Sequence, residues 1–433
     1  MQIKRGDIIL RSKPFAYVLS SKYKDNRCNC CFKCGKLQKC SGCQYVYYCD
    51  RSCQRESWNI HKYECANLKK ILPRIVPDAV LLVARVILTL QVGEKKKECY
   101  ADDLYRGYND LMSHLTNIEK DYERVEHCIT IHNVLDDFMS GERKLNLQEI
   151  LEIYGKICVN SYNILDAEMQ SIGVGIYLAP SVIDHNCKPN AVAAFEGPII
   201  IIRALEDIST RDWSKIHISY IDILNTTIDR RTELQKTYYF LCECERCNEP
   251  EMFATAAICS YCKDKCNIEE DTCRVCDKEI SHAFKEKFNK VSDFTRHQLE
   301  SMKNVVDLEI NKTCLKEQTD IFHPLNILHI RTMESTLDVA IESGHWQEAS
   351  LFGIKLLPGY LYYYGEFHPL TGLLYFKIGK IQLYLGQEEA ALKMLMEAYK
   401  ILKVTHGDEH SLINEQLKPL ICQACEEPAV RNA

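Results

Sequence analysis

The chain has 433 residues, 46% of them hydrophobic and 26% charged, with a formal net charge of −6. That length allows two or three domains, each with its own core, and the mild acidity excludes a protein that coats nucleic acid through its global field. No apolar run approaches the ~18–20 residues of a membrane span, and the opening "MQIKRGDIIL" lacks the apolar segment and small-residue cleavage site of a secretory signal. The expectation is an intracellular protein with no membrane partner.

Cysteine is the outlier, at 24 residues. In a reducing compartment thiols stay free, so clusters at two- and three-residue intervals point to metal, zinc above all, rather than to disulfides. Cys99, Cys128, Cys158 and Cys314 are scattered and read as small buried apolar residues.

The first cluster runs Cys28-x2-Cys31-x8-Cys40-x2-Cys43-x5-Cys49-x3-Cys53-x7-His61-x3-Cys65. Eight thiolate or imidazole ligands suit two tetrahedral zinc ions. A two-residue gap turns both sulfurs of a knuckle onto one metal, and the Cys49/Cys53 and His61/Cys65 pairs, at i,i+4, are each expected on one helical turn. Cys30 and Cys34 are surplus, and Cys31/Cys34 is a rival knuckle that shortens the next loop to five residues. From Lys22 to Cys65 there are nine Lys/Arg against four Asp/Glu. Zinc–thiolate centres of charge about −2 and −1 cancel most of that excess, so the segment suits a nucleic-acid surface poorly.

An apolar helical pattern, "PDAVLLVARVILTL", then opens a long stretch expected to be helical as far as Asn160. From Asn160 to Tyr220 the pattern changes to β-branched runs separated by turn signals: "GVGIYL", "NAVAAF", "GPIIIIRAL" and "KIHISYIDIL". Among them "DHNCKPN", Asp184 to Asn190, brings an acid, a histidine and a cysteine within four residues. On an extended segment His185 would point alongside Cys187 rather than at it, which suits a nucleophile and its base poorly. Downstream, Cys242-x-Cys244-x2-Cys247 offers three ligands and leaves one coordination position that a lone cysteine can close. Next, Cys259-x2-Cys262-x10-Cys273-x2-Cys276 has the spacing of a small zinc ribbon, with Cys266 spare.

Beyond Ala283 the chain reads as helical almost to its end. "HPLNILHI" at His323 returns as "HPLTGLLY" at His368 and more loosely as "HSLINEQL" at His410, and between them "GHWQEASL" and "GQEEAALK" each lead from glycine into an amphipathic helix. Helix pairs at such intervals describe a tetratricopeptide-like stack, with an irregular bundle as the alternative.

The first cluster resembles the MYND zinc finger, while "GVGIYLAPSVIDHNCKPN", "IHISYIDIL" and "CECERC" together resemble the SET fold of lysine methyltransferases. The whole chain is similar to the SMYD family. The resemblance implies an α+β fold: a SET β-fold split between residues 1–27 and 160–224, a MYND finger over 28–65, and a helical insert over 66–159. A post-SET segment with the extra ribbon would follow over 225–282, then a helical-repeat domain over 283–433. By the same resemblance Cys28, Cys31, Cys49 and Cys53 hold one zinc, Cys40, Cys43, His61 and Cys65 a second, and Cys187, Cys242, Cys244 and Cys247 a third. The ribbon cysteines would hold a fourth. The implied cofactor is S-adenosylmethionine, touched by Asn160, Asp184, His185, Tyr220 and Phe240, and by Tyr105 and His114. Tyr220 would stand beside the transferring methyl, and Tyr162 and Tyr238 would line the lysine channel. Partners would be a substrate protein's lysine, proline-rich peptides at the finger and, as a poorer match, nucleic acid. A monomer is expected in both nucleus and cytoplasm; "EKKKE" is too short for an import signal.

Three departures bear on activity. "MQIKRGDIILRSKPFAY" matches only the segment after the family's Gly-x-Gly-type turn, so weakened cofactor binding is expected. Asp184 replaces an asparagine and can accept but not donate hydrogen bonds. "STRDWSKIHI" replaces a Gly-Glu-Glu turn. A protein-lysine methyltransferase is thus weighed against a catalytically weak adaptor, whereas a zinc hydrolase fails because each site is saturated by four ligands.

Overall fold

The computed structural model describes residues 2–93, 97–139, 145–301 and 307–431. Most of the "EKKKE" run therefore lies outside the described residues. The chain forms two compact units: Met1–His185 with Pro189–Ile218 and Leu234–Phe240, and Asn186–Lys188 with Ser219–Glu233 and Leu241–Ala433.

The first unit holds two three-stranded antiparallel sheets. In one, Ile199–Ala204 lies between Ile8–Ser12 and Ala191–Glu196; in the other, Ser171–Ile176 lies between Ala16–Leu19 and Ser161–Leu165. "IIIIRA" shows no alternation because consecutive residues Ile200, Ile201 and Ile202 are all buried, so both faces of that strand are covered. Gly173 is required by close approach: a Cβ there would lie 2.4 Å from the Val18 carbonyl oxygen and 2.7 Å from the Phe32 ring. That contact seats the cysteine-rich segment on the second sheet. The segment shares one core with Asp78–Val92, Tyr122–Phe138 and Leu147–Asn160, and every residue of Asp78–Val92 from Val80 to Thr89 is buried.

Two expectations fail locally. The stretch before Asn160 is not helical throughout: Lys97–Ala101 and Leu104–Gly107 form an antiparallel hairpin, with Asp103 in the left-handed region (φ +57°) at its turn. The paired aspartates Asp102 and Asp103, a residue type that tolerates the left-handed region, are a turn signal overlooked between two helical patterns. "KIHISYIDIL" does not continue as a strand either. Only His217–Ile218 is extended, in parallel register with Asp184–His185, because side chains beyond it fold back on the backbone: Ser219 Oγ donates to the Ile221 carbonyl and Asp222 Oδ1 accepts the Leu224 amide.

In the second unit, the helices Ile327–Glu342, Trp346–Tyr363, Pro369–Tyr384 and Glu388–Thr405 follow one another, preceded by His282–Ser301 and Leu308–Gln318 and followed by Lys418–Arg431. The repeat seen in the sequence is a repeated turn chemistry. His323, His368 and His410 each accept, through Nδ1, the amide two residues on, at 3.1, 3.2 and 3.2 Å. Gly344 and Gly386 supply the left-handed residue (φ +73° and +70°) that ends the preceding helix.

Burial holds the His329 and His368 imidazoles down to about 4, and His329 Nδ1 lies 2.7 Å from the Gln318 amide oxygen. Both are neutral in the fold but protonate near ~6.5 once unfolded. The unfolded state therefore binds more protons between about pH 6.5 and pH 4, and stability must fall across that window. Partial exposure discounts the effect to roughly 1–3 kcal/mol per imidazole. Thermal melts from neutral pH down to about pH 4.5 are expected to show this slope, and His329→Gln is expected to flatten part of it relative to the parent chain.

Candidate functional site

Four clusters of cysteine and histidine come together: Cys28/Cys31/Cys49/Cys53, Cys40/Cys43/His61/Cys65, Cys187/Cys242/Cys244/Cys247 and Cys259/Cys262/Cys273/Cys276, with all ligand atoms of a cluster within 4.8 Å of one another. A tetrahedral zinc with Zn–S near ~2.3 Å sets its sulfurs about 3.8 Å apart. The chain holds Cys31–Cys49 at 3.5 Å, Cys40–Cys65 at 3.9 Å, Cys187–Cys242 at 3.9 Å, Cys259–Cys276 at 3.7 Å and Cys262–Cys273 at 3.8 Å. Burial and then the charge of neighbouring thiolates push Cys53 and Cys65 up to about 12. A divalent cation would relieve this repulsion, so donor type, number and spacing fit zinc.

Local backbone explains which cysteines pair. After Cys28, Cys40, Cys259 and Cys273 the residue four positions on, Phe32, Gln44, Lys263 and Asp277 in turn, is left-handed (φ +55° to +62°) and returns its amide to the cysteine carbonyl. These four knuckles share one turn. The first lies at Cys28/Cys31, which disposes of the rival at Cys31/Cys34; Cys34 is exposed outside the cluster. One expectation is corrected. Cys49 is not on a helical turn with Cys53, because the helix Arg51–Ile71 begins after it, capped by Asp50, whose carboxylate accepts the Cys53 amide at 2.9 Å. His61 and Cys65 do share a helical face.

The sequence reading missed the groups that support these clusters. His61 Nδ1 lies 3.0 Å from Glu64 Oε1, which leaves Nε2, 3.7 Å from the Cys43 sulfur, as the ligating atom. Glu64 in turn takes a two-pronged bond from Arg85 at 2.8 and 2.9 Å, and Arg85 reaches the Tyr17 carbonyl at 2.7 Å. Arg85 was recognisable as a lone cation in an otherwise apolar helix, which needs a partner when buried. Beside the third cluster the wholly buried Arg230 reaches the Cys247 sulfur at 3.6 Å and Glu251 at 2.6 Å, and Arg246 donates to the Cys187 carbonyl at 3.1 Å. These cations complement a tetrathiolate centre of charge about −2.

The residues expected around a cofactor are distributed as follows. Asp184 and His185 form the short parallel bridge with His217 and Ile218, and Asn190 pins it by accepting the His217 amide at 2.9 Å and donating to the Lys215 carbonyl at 2.7 Å. The His185 and Phe240 rings lie 6.0 Å apart. Asn160 ends its helix with Nδ2 donating to the Met112 and Lys156 carbonyls at 2.8 and 2.9 Å, which leaves its oxygen as the acceptor. His114 adopts a left-handed conformation (φ +48°) with its ring 5.4 Å from that of Tyr239, itself left-handed (φ +62°). The Tyr239 hydroxyl is shielded and has no partner among the described residues, while the Arg124 guanidinium covers its ring at 5.3 Å. Among the described residues, the unpartnered Tyr239 hydroxyl, the Asn160 oxygen left as an acceptor and several half-buried rings have the chemistry that suits a ligand with a heteroaromatic base and polar groups. Tyr239 lay unread between Tyr238 and Phe240 in "TYYFLC".

Tyr162 donates to the Pro180 carbonyl at 3.1 Å and meets Tyr177 edge-on at 5.7 Å. Tyr105, 55% exposed on the hairpin, pairs across it with Cys99. Tyr238 is the last residue of the helix Thr227–Tyr238 and belongs to the first unit, whereas Tyr220 follows Ser219 in the loop after His217–Ile218 and belongs to the second. In the altered "STRDWSKIHI" turn, Asp212 accepts the Ser214 amide at 3.1 Å and the Trp213 ring meets Tyr100 edge-on at 5.6 Å.

Comparison with known proteins gives a match to the MYND finger over residues 28–65. The chain is 31% identical over 425 residues to Histone-lysine N-methyltransferase ASHR1 of Arabidopsis thaliana, covering 93% of this chain and 87% of that relative. It is 29% identical over 428 residues to Histone-lysine N-methyltransferase SMYD3 of Homo sapiens, covering 98% and 93%. It is also 27% identical over 429 residues to N-lysine methyltransferase SMYD2-A of Danio rerio, covering 96% and 93%. Among the described residues no helix is long and apolar enough to cross a membrane.

Proposed function

The chain belongs to the SMYD family, and from that membership we propose that it is a protein-lysine N-methyltransferase using S-adenosylmethionine. The observation that carries the reading is the parallel bridge His217–Ile218 with Asp184–His185, which joins the "DHNCKPN" motif to the segment leading directly into Tyr220. Bound S-adenosylmethionine supplies an electrophilic methyl on a sulfonium.

The chain's own residues then have three tasks. A lysine amine with a pKa near ~10.4 must lose its proton and its water, and Tyr162 and Tyr238 form aromatic walls for that. Because the Tyr162 hydroxyl is already committed to the Pro180 carbonyl, it presents a fixed wall rather than a mobile proton carrier. The Tyr220 hydroxyl orients the amine. Asn160, His185 and Phe240, with Tyr105 and His114, hold the cofactor, and the exposed Asp184 carboxylate complements its ammonium. Substrates are histone or other protein lysines, and the finger takes proline-rich peptides more readily than nucleic acid. The chain acts as a monomer in nucleus and cytoplasm.

Calorimetric titration of S-adenosylmethionine into the zinc-loaded chain tests the reading. Micromolar binding, followed by methyl transfer to lysine peptides, is expected. No binding would leave the adaptor reading, which Asp184 in place of asparagine favours. We also propose one zinc in each of the four clusters. Metal analysis is expected to give four zinc ions per chain and three in Cys262→Ser; three in the parent chain would remove the ribbon site.

A further inference from the structure

The loop that carries Tyr220 is bonded to two other parts of the second unit. Two guanidinium groups take consecutive carbonyls of this loop: Arg246 donates to Ile223 at 2.9 Å and Arg331 to Leu224 at 2.9 Å. Arg246 comes from the third zinc cluster, where its other nitrogen holds the Cys187 carbonyl. Arg331 comes from the helix Ile327–Glu342 of the repeat domain. The same nitrogen of Arg331 bonds Asp222 Oδ2, and the Tyr364 hydroxyl donates to Asp222 Oδ1 at 2.8 Å. Behind Arg331, Glu334 accepts its second nitrogen at 3.0 Å and is itself bonded by the Tyr360 hydroxyl.

Asp222 keeps 38% of its side chain open to solvent, so one exposed ion pair would hold little. The strength here lies in number and direction. The Asp222 carboxylate is saturated by a guanidinium, a phenol and the Leu224 amide, and Arg331 binds the loop through both a side chain and a backbone carbonyl. Such a clamp fixes a loop that local sequence leaves irregular.

We infer that Arg331 and Tyr364 of the repeat domain are positioning residues for methyl transfer, acting through Asp222 to hold Tyr220 in register. The inference rests on the reading of Tyr220 above. It makes two residues of the helical repeat supports of the loop that follows Tyr220.

The experiment compares the full chain with Arg331→Ala, Arg331→Lys and the milder Tyr364→Phe, which removes one hydrogen bond and keeps the ring. Faster hydrogen exchange at the 221–225 amides is expected in Arg331→Ala and Tyr364→Phe, with zinc content unchanged. A fall in kcat of roughly 10- to 100-fold at unchanged cofactor affinity is expected in Arg331→Ala, from misplacement alone. Arg331→Lys, which restores charge without the fork, should fall between. Unchanged exchange in a folded Arg331→Ala overturns the clamp, and so does a loss confined to KM. Absence of transfer by the parent chain is a different result: it overturns the reading of Tyr220, while exchange still reports whether the clamp exists.

Discussion

Tyr220→Phe is expected to lower kcat for methyl transfer by about 10²- to 10³-fold, the usual cost of removing one donor aimed at the reacting centre. Affinity for S-adenosylmethionine should change little, because phenylalanine keeps the ring that contacts the cofactor and the other groups proposed to hold it, Asn160, His185 and Phe240 among them, belong to other elements. The ring volume is retained, so stability and zinc content should match the parent chain. Single-turnover transfer to a lysine peptide, beside calorimetry, separates the two effects. A variant with parental kcat would take the catalytic role from Tyr220, and one that lost cofactor binding instead would make it a binding residue.

Arg85→Met is expected to destabilise the fold by about 3–5 kcal/mol, because it strands Glu64 as a buried charge without its cation. Glu64 is 1% exposed, and the Arg85 guanidinium beside it, together with His61, holds its carboxyl down to about 2. The same change loosens His61, so the second finger zinc should be lost roughly 10- to 100-fold more readily. The double variant Glu64→Met with Arg85→Met should recover part of the stability but not the metal affinity, since His61 still lacks its orienting carboxylate. Urea midpoints and zinc per chain on the three proteins check both statements. Equal midpoints for the single and double variants would show that the charge pair is not what holds this core.

Legibility in the sequence followed the range of the interaction. The knuckles at Cys28, Cys40, Cys259 and Cys273 were readable because a two-residue gap and a left-handed residue after the second cysteine act within five positions. The turns of the helical repeat were readable for the same reason: a histidine that accepts the amide two residues on needs nothing distant. Cys49 shows where such reading stops. Its spacing from Cys53 suits a helix, yet the Asp50 carboxylate captures the Cys53 amide and starts the helix too late to include it. The hairpin at Lys97–Gly107 was lost between two stronger helical patterns.

By itself, then, the sequence determined the cysteine knuckles and the turns of the helical repeat, both written in spacings short enough for chain geometry to enforce, while the grouping of the knuckles into ligand sets and the functional reading came from the family resemblance. Only the tertiary structure decided which buried charges meet. Arg85 finds Glu64 from another helix, Arg230 finds Glu251 and the Cys247 sulfur, and Arg331 finds Asp222 across more than a hundred positions. A guanidinium can bond any carboxylate or carbonyl that packing delivers to it. Its partner is therefore set by how helices and loops stack, and no interval in the sequence records that.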